Sequence, residues 1–149
     1  MNILVTVGTT QYDELIEYID VRVSNHQITF QIASGSYKPI NHKYFSFSDD
    51  FTKYVEKSDI VITHSGAGSV YSLLEMKKKI IVVPNLYRID KHQKELASYV
   101  EKNDFAFVAW ELEQLNVLIE AIDNKVFKEY VKDDFFKGHE IRRIINELF

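Results

Sequence analysis

Thr63-His64-Ser65-Gly66-Ala67-Gly68-Ser69 joins a short apolar run over residues 59–62 to a run of helical period over 70–77. A turn of small residues that opens a helix leaves backbone N–H groups unpaired at the positive end of the helix dipole. That arrangement attracts anions, and phosphate above all. Gly66 and Gly68 also suit a tight turn on conformational grounds alone. Two glycines, two hydroxyls and a helix start coincide here, which favours the phosphate reading.

Outward from this stretch, short apolar runs alternate with longer segments of helical period. The runs at 3–7, 28–32, 44–47, 59–63, 80–83 and 105–108 read as strands. Continuous β-branched runs such as Ile80-Ile81-Val82-Val83 fit strands buried on both faces. The class is therefore α/β, a doubly wound parallel sheet of about six strands. Between the strands, Tyr12, Leu15, Ile16, Ile19 and Val23 mark one helix, and residues 51–57 form a modest second. Val70, Leu73 and Leu74 face the sheet from the third helix, and Leu96, Tyr99 and Val100 from the fourth. Two terminal helices carry Leu112, Leu115, Leu118, Ile119 and Ile122, then Ile141, Ile144, Ile145 and Leu148. Thr10 with Asp13 resembles a capping pair, and Asp90 with Gln93 a capping box. Lys77, Lys78 and Lys79 are expected in the last turn of their helix, where cations offset the dipole.

At 149 residues, 46% hydrophobic and 27% charged, the chain is expected to form one domain over residues 1–149. A net charge of -4 with scattered basic residues argues against nucleic acid as a partner. The absence of cysteine removes thiol nucleophiles and thiolate metal sites and suits a reducing, cytoplasmic setting. No apolar run approaches the roughly 20 residues of a spanning helix. H-E-x-x-H, paired D-x-D carboxylates, a P-loop and a G-x-S-x-G elbow are all missing, so no metal or cofactor is expected. The dinucleotide fingerprint fails as well, because Tyr71 stands where its third glycine belongs. His64 is a weak candidate for a general base, against a structural role for a histidine before a glycine turn. His26, His42 and His139 read as surface residues.

In open parallel sheets, ligands bind beyond the carboxyl ends of the strands. The segments 8–10, 47–50, 64–69 and 85–93 all follow strands and should share that edge. His92 and Gln93, at a helix start beside a phosphate site, could serve sugar hydroxyls or only the helix end.

Val5-Thr6-Val7-Gly8-Thr9-Thr10, His64-Ser65-Gly66-Ala67-Gly68-Ser69, Ile81-Val82-Val83-Pro84-Asn85, Asp90, His92-Gln93 and Glu95-Leu96-Ala97 occur in that order. Together they resemble the carboxyl-terminal, nucleotide-sugar-binding half of GT-B glycosyltransferases of the MurG type, family 28. The likeness extends to two-chain relatives whose donor-binding and acceptor-binding halves are separate polypeptides. The resemblance implies a Rossmann-like sheet forming one half of a GT-B fold. It also implies a UDP-sugar as substrate, with no cofactor or metal. Its diphosphate would lie at Gly66, Ala67, Gly68 and Ser69, near a donor loop of Gly8, Thr9 and Thr10. Uracil and ribose would fall to Phe47, Ser48 and Ser72, the last standing where the family usually carries an acidic residue. The sugar would meet Asn85, Asp90, His92 and Gln93.

On this resemblance the chain is the donor-binding subunit of an inverting, metal-independent hexosyltransferase serving capsule or exopolysaccharide synthesis. The acceptor would be a polyprenyl-diphosphate-linked sugar, held by a membrane-associated acceptor-binding glycosyltransferase subunit. That subunit would recruit this cytoplasmic chain to the inner face of the membrane. The alternative is a catalytically weak accessory subunit that activates or stabilises a partner transferase.

Overall fold

Six parallel strands, in the order β3-β2-β1-β4-β5-β6, make up the sheet of the computed structural model, which describes residues 1–87 and 91–132. The strands are β1 (Asn2–Thr6), β2 (Gln27–Gln31), β3 (Lys43–Phe45), β4 (Ile60–His64), β5 (Lys79–Val83) and β6 (Phe107–Val108). Five α-helices among the described residues complete the layers: α1 (Asp13–Arg22), α2 (Phe51–Lys57), α3 (Ala67–Glu75), α4 (His92–Lys102) and α5 (Leu115–Ile122). The strand order is that of a doubly wound, Rossmann-like sheet.

Alternation along each strand divides the core into two layers. Ile3, Val5, Ile28, Phe30, Ile60, Ile62 and Ile81 pack with Leu15, Ile16 and Ile19 of α1 and Leu115, Ile119 and Ile122 of α5. Leu4, Val61, Ile80 and Val82 pack on the other face with Val55 of α2, Val70, Leu73 and Leu74 of α3, and Leu96 and Val100 of α4. Both faces of β1, β4 and β5 are buried, which explains their unbroken apolar sequence.

Several local expectations are corrected. Helix α1 starts at Asp13 without a side-chain cap, and the Asp13 carboxylate instead accepts the Ser36 N–H at 3.1 Å. Thr10 therefore caps nothing. The third strand ends at Phe45, leaving Phe47 outside it. The sixth is only Phe107–Val108, because Phe105 N–H donates to Val100 O and Asp104 takes φ +56, closing α4 in a Schellman turn. Helix α3 ends the same way, with Lys77 at φ +58 and Lys78 N–H on Leu73 O.

The three lysines consequently leave the helix rather than cap its dipole. Lys78 Nζ donates to Ser58 O at 2.7 Å, and Lys79 opens β5 while its Nζ reaches Ile122 O and Asp123 O. Leu112 lies in a short 3-10 turn, Leu112–Gln114, ahead of α5. Tyr99 is more than one-third exposed, at the rim of its helix against the Phe105 ring. His26 and His42 are mostly enclosed side chains, His42 Nδ1 lying 2.9 Å from the buried Asp20 carboxylate. His139 and the helix expected around Ile141, Ile144, Ile145 and Leu148 lie outside the described residues.

Candidate functional site

Chain winding reverses between the adjacent strands β1 and β4, so the loops that leave them diverge and open a crevice at the carboxyl edge of the sheet. Both loops are built of small residues. Gly8 adopts φ +67, a left-handed conformation that costs glycine little. A β-carbon there would stand 2.7 Å from His64 Cε1 and 3.5 Å from Ser69 Oγ, so the two loops touch. Gly66 is pressed against the same imidazole. His64 thus fills the space between the two turns, and the packing of its ring accounts for both glycines.

Helix α3 begins earlier than its apolar period suggests, at Ala67, with Gly66 as an N-cap that has no side-chain bond. The first backbone bond of the helix runs from Val70 N–H to Gly66 O. The N–H groups of Ala67, Gly68 and Ser69 therefore precede the ladder and are the orphan donors of this terminus. Gly68 is exposed, and a β-carbon added there would meet nothing within 4 Å. Neither backbone strain nor a neighbour in the chain requires glycine at this position. Ser72, also exposed, lies four residues on and therefore on the same helix face.

The neighbouring loops are tied to this mouth by buried polar contacts. Ser65 Oγ donates to Gln93 O at 2.6 Å, and Gln93 Oε1 accepts the Asn85 N–H at 2.9 Å. The capping-box role expected of Gln93 is thereby corrected: the N-cap of α4 is Lys91, without a side-chain bond, and Asp90 lies outside the described residues. Asn85 Oδ1 accepts from Tyr87 N–H, and Tyr12 Oη donates to Pro84 O at 3.2 Å. Burial pushes the Tyr12 hydroxyl well above its ordinary range, which keeps it a neutral donor. His92 begins α4 and is half-buried.

Thr9 and Thr10 are exposed, as is Phe47 at 62%. Ser48 Oγ accepts from Asp50 N–H ahead of α2. The structure therefore gathers Gly8, His64, Gly66, Ala67, Gly68 and Ser69 at one mouth. Gln93 and Asn85 are bonded to each other beside it, and Phe47 and Ser48 stand on the loop after β3.

Sequence reasoning passed over Gln31 and read Tyr12 only as a helix residue and Ser65 only as part of the glycine turn, although all three hold these loops. Gln31 is a buried amide that follows the β-branched and aromatic run Ile28-Thr29-Phe30, and that break in pattern was its only signal. A second concavity, about 1070 Å³, lies at the opposite ends of β1 to β3, lined among others by Asn2, Gln27, Lys43, Tyr54 and Lys57. Helix α2 terminates there, presenting the negative end of its dipole, which disfavours an anion at that concavity.

Comparison with known proteins places these features in a family. Residues 2–147 match the model described as the glycosyltransferase family 28 C-terminal domain. The UDP-N-acetylglucosamine transferase subunit ALG13 of Homo sapiens is 32% identical over 120 residues, covering 70% of this chain and 11% of that protein. Its namesake in Candida albicans is 30% identical over 102 residues, covering 68% and 32%. The match thus spans about a tenth of the human relative and about a third of the fungal one. An NMR structure of ALG13 superposes with a TM-score of 0.62 at 16% identity, over 99% of this chain and 96% of that one. Acinetobacter baumannii MurG gives 0.61 at 20% identity, over 83% of this chain and 41% of that one. Among the described residues, no helix is long and apolar enough to cross a membrane.

Proposed function

The chain belongs to the glycosyltransferase family 28 C-terminal domain, and from that premise we propose that it is the donor-binding subunit of a two-chain glycosyltransferase. The observation that carries the proposal is the uncapped start of α3, open at Gly68 and lying against the Gly8 turn at the sheet's switch point. The donor is a UDP-sugar. UDP-N-acetylglucosamine comes first, because similar proteins carry that donor in their names. Those names give no support to the capsule or exopolysaccharide setting.

In this reading the amides of Ala67, Gly68 and Ser69 receive the diphosphate. The loop after β3, with Phe47 and Ser48, takes the uracil, and Ser72 the ribose. Asn85, His92 and Gln93 form the wall for the sugar. Transfer inverts the anomeric carbon: an acceptor hydroxyl oxygen bonds to C1 as the C1–oxygen bond to the diphosphate breaks, and UDP leaves with the electron pair. Preorganised N–H donors stabilise the charge that develops on the leaving oxygen, a role open to them without a metal.

The acceptor, a sugar on a polyprenyl diphosphate, and the base that takes its proton belong to the membrane-associated partner subunit. This chain contributes one lobe and reaches the membrane surface through that partner.

Titration calorimetry with UDP and UDP-N-acetylglucosamine, on this chain and on its complex with a co-expressed partner, tests the proposal. Binding in either supports it, and heat-silent titrations of both would end it. An accessory, non-catalytic subunit is the second reading, favoured by the uncharged Ser72 on the helix face that should hold the ribose. A complex that binds donor and transfers sugar only through its partner's own site would establish that role.

A further inference from the structure

Gln31 is the last residue of β2, the strand that lies between β1 and β3, and it is 3% exposed. Its register partners are Thr6 and Phe45, the last residues of the two flanking strands. The side-chain amide serves both of the loops that follow. Oε1 accepts from Thr6 Oγ1 at 2.6 Å, from Val7 N–H at 3.1 Å and from Gly8 N–H at 3.1 Å. Nε2 donates to Gly8 O at 2.8 Å and to Ser46 O at 2.9 Å. Gly8 is therefore held at both its N–H and its C=O by one side chain, in the left-handed conformation that brings it against His64 and Ser69. Ser46 opens the segment that carries Phe47 and Ser48.

We infer that Gln31 is a positioning residue for the nucleotide-sugar donor: its amide joins the turn beside the diphosphate mouth to the loop beside the uracil and fixes their separation. The inference rests on the donor-site reading above. Only a carboxamide of this length meets the requirement, since the site needs an acceptor on one branch and a two-proton donor on the other. A carboxylate would set oxygen against the carbonyls of Gly8 and Ser46. A thioether of the same length would remove all five of these hydrogen bonds, leaving Ser46 O with only the Ala33 N–H and Gly8 N–H with only a 3.4 Å contact to Thr6 Oγ1, a cost that loops relieve by moving.

The test compares Gln31→Met and Gln31→Glu with the parent in the two-chain complex, measuring kcat together with KM for donor and for acceptor. UDP affinity is measured alongside on the full chain. Gln31→Met is expected to raise the donor KM and the UDP dissociation constant in parallel by about tenfold, leaving the acceptor KM unchanged. Gln31→Glu should be at least as damaging. A role confined to folding would lower melting temperature and the active fraction, hence kcat, without moving the donor KM. That result would overturn the inference.

Amide exchange at Gly8 in the ligand-free chain gives a readout independent of the donor. It should quicken in Gln31→Met, and an unchanged rate would sink the loop-joining claim. If the parent binds no UDP, the donor-site reading fails on that count, and exchange at Gly8 still decides whether Gln31 fixes the turn.

Discussion

A β-carbon on Gly8 would lie 2.7 Å from Cε1 of His64, so the turn after β1 and the end of β4 meet only because residue 8 has no side chain. The contact is made across the pair of strands between which the winding of the sheet reverses. It sets how wide the crevice can be at the start of α3. Gly8→Ala introduces two costs at once, a left-handed φ for a residue with a β-carbon and an overlap with the imidazole. The expected loss is about 2–4 kcal/mol of unfolding free energy, read by urea denaturation. UDP affinity should fall with it, as the turn moves off His64. A variant as stable as the parent would mean that the turn yields without strain.

Gly68 provides the contrast. Its position opens onto free space and its backbone is unstrained, so Gly68→Asp should fold with a melting temperature no lower than the parent's. A carboxylate near a helix N-terminus even adds about 0.3–1 kcal/mol of stability. The same charge would face the diphosphate, and UDP binding should weaken by at least about tenfold, an effect that rising salt reduces. Calorimetry at two salt concentrations checks both parts. Unaltered affinity would move the diphosphate away from α3.

The architecture of the sheet and the gathering of the candidate loops at one edge were legible because both are written in local patterns. Buried strands such as Ile80-Ile81-Val82-Val83 are continuous apolar runs, and a helix start facing an anion must be made of small residues. Errors fell where non-local partners decide the outcome. Asp13 reads as a capping residue until Ser36 is brought beside it. His42 reads as surface until the loop that carries it folds onto Asp20. Gln31 acquires its meaning only from register with Thr6 on one side and Phe45 on the other, strands 25 and 14 positions away in the sequence. The lysines at 77–79 show the same limit, since a left-handed residue after α3 turns the chain into β5 and no helical period announces it.

Ser72 shares a helix face with Gly68 and is exposed, so residue 72 can be changed without disturbing the core. Hydrogen bonds to charged groups contribute about 1.5–3 kcal/mol against about 0.5–1.5 for neutral pairs. On the proposed donor placement, which sets the ribose hydroxyls beside this face, Ser72→Glu should tighten UDP binding several-fold and leave thermal stability unchanged. Uridine should show the same gain, because the new contact is to the sugar and not to phosphate. A weaker complex with uridine would show that the ribose lies elsewhere.

Asp20 gives a prediction about stability rather than binding. Its side chain is fully buried on α1 and accepts from Tyr37 Oη at 2.8 Å, Ile40 N–H at 2.8 Å and Asn41 N–H at 3.0 Å, with His42 Nδ1 at 2.9 Å. Burial alone would raise this carboxyl, but the hydrogen bonds from Ile40, His42, Tyr37 and Asn41 outweigh it and hold the group below its usual range. The same bond to Asp20 leads the causes that push the Tyr37 hydroxyl up to about 12. Asp20→Asn replaces one accepting oxygen with a donor that faces donors, at an expected cost of about 2–3 kcal/mol at pH 7. A depressed carboxyl stabilises the fold in full above the unfolded-state value of about 3.9 and loses that contribution as pH falls through the folded-state value. The deficit of Asp20→Asn, followed from pH 7 downward, should therefore shrink below about pH 4. Urea denaturation of both proteins across that range measures it, and a deficit independent of pH would mean that the carboxylate's charge contributes nothing to holding the loop that carries Tyr37 and His42.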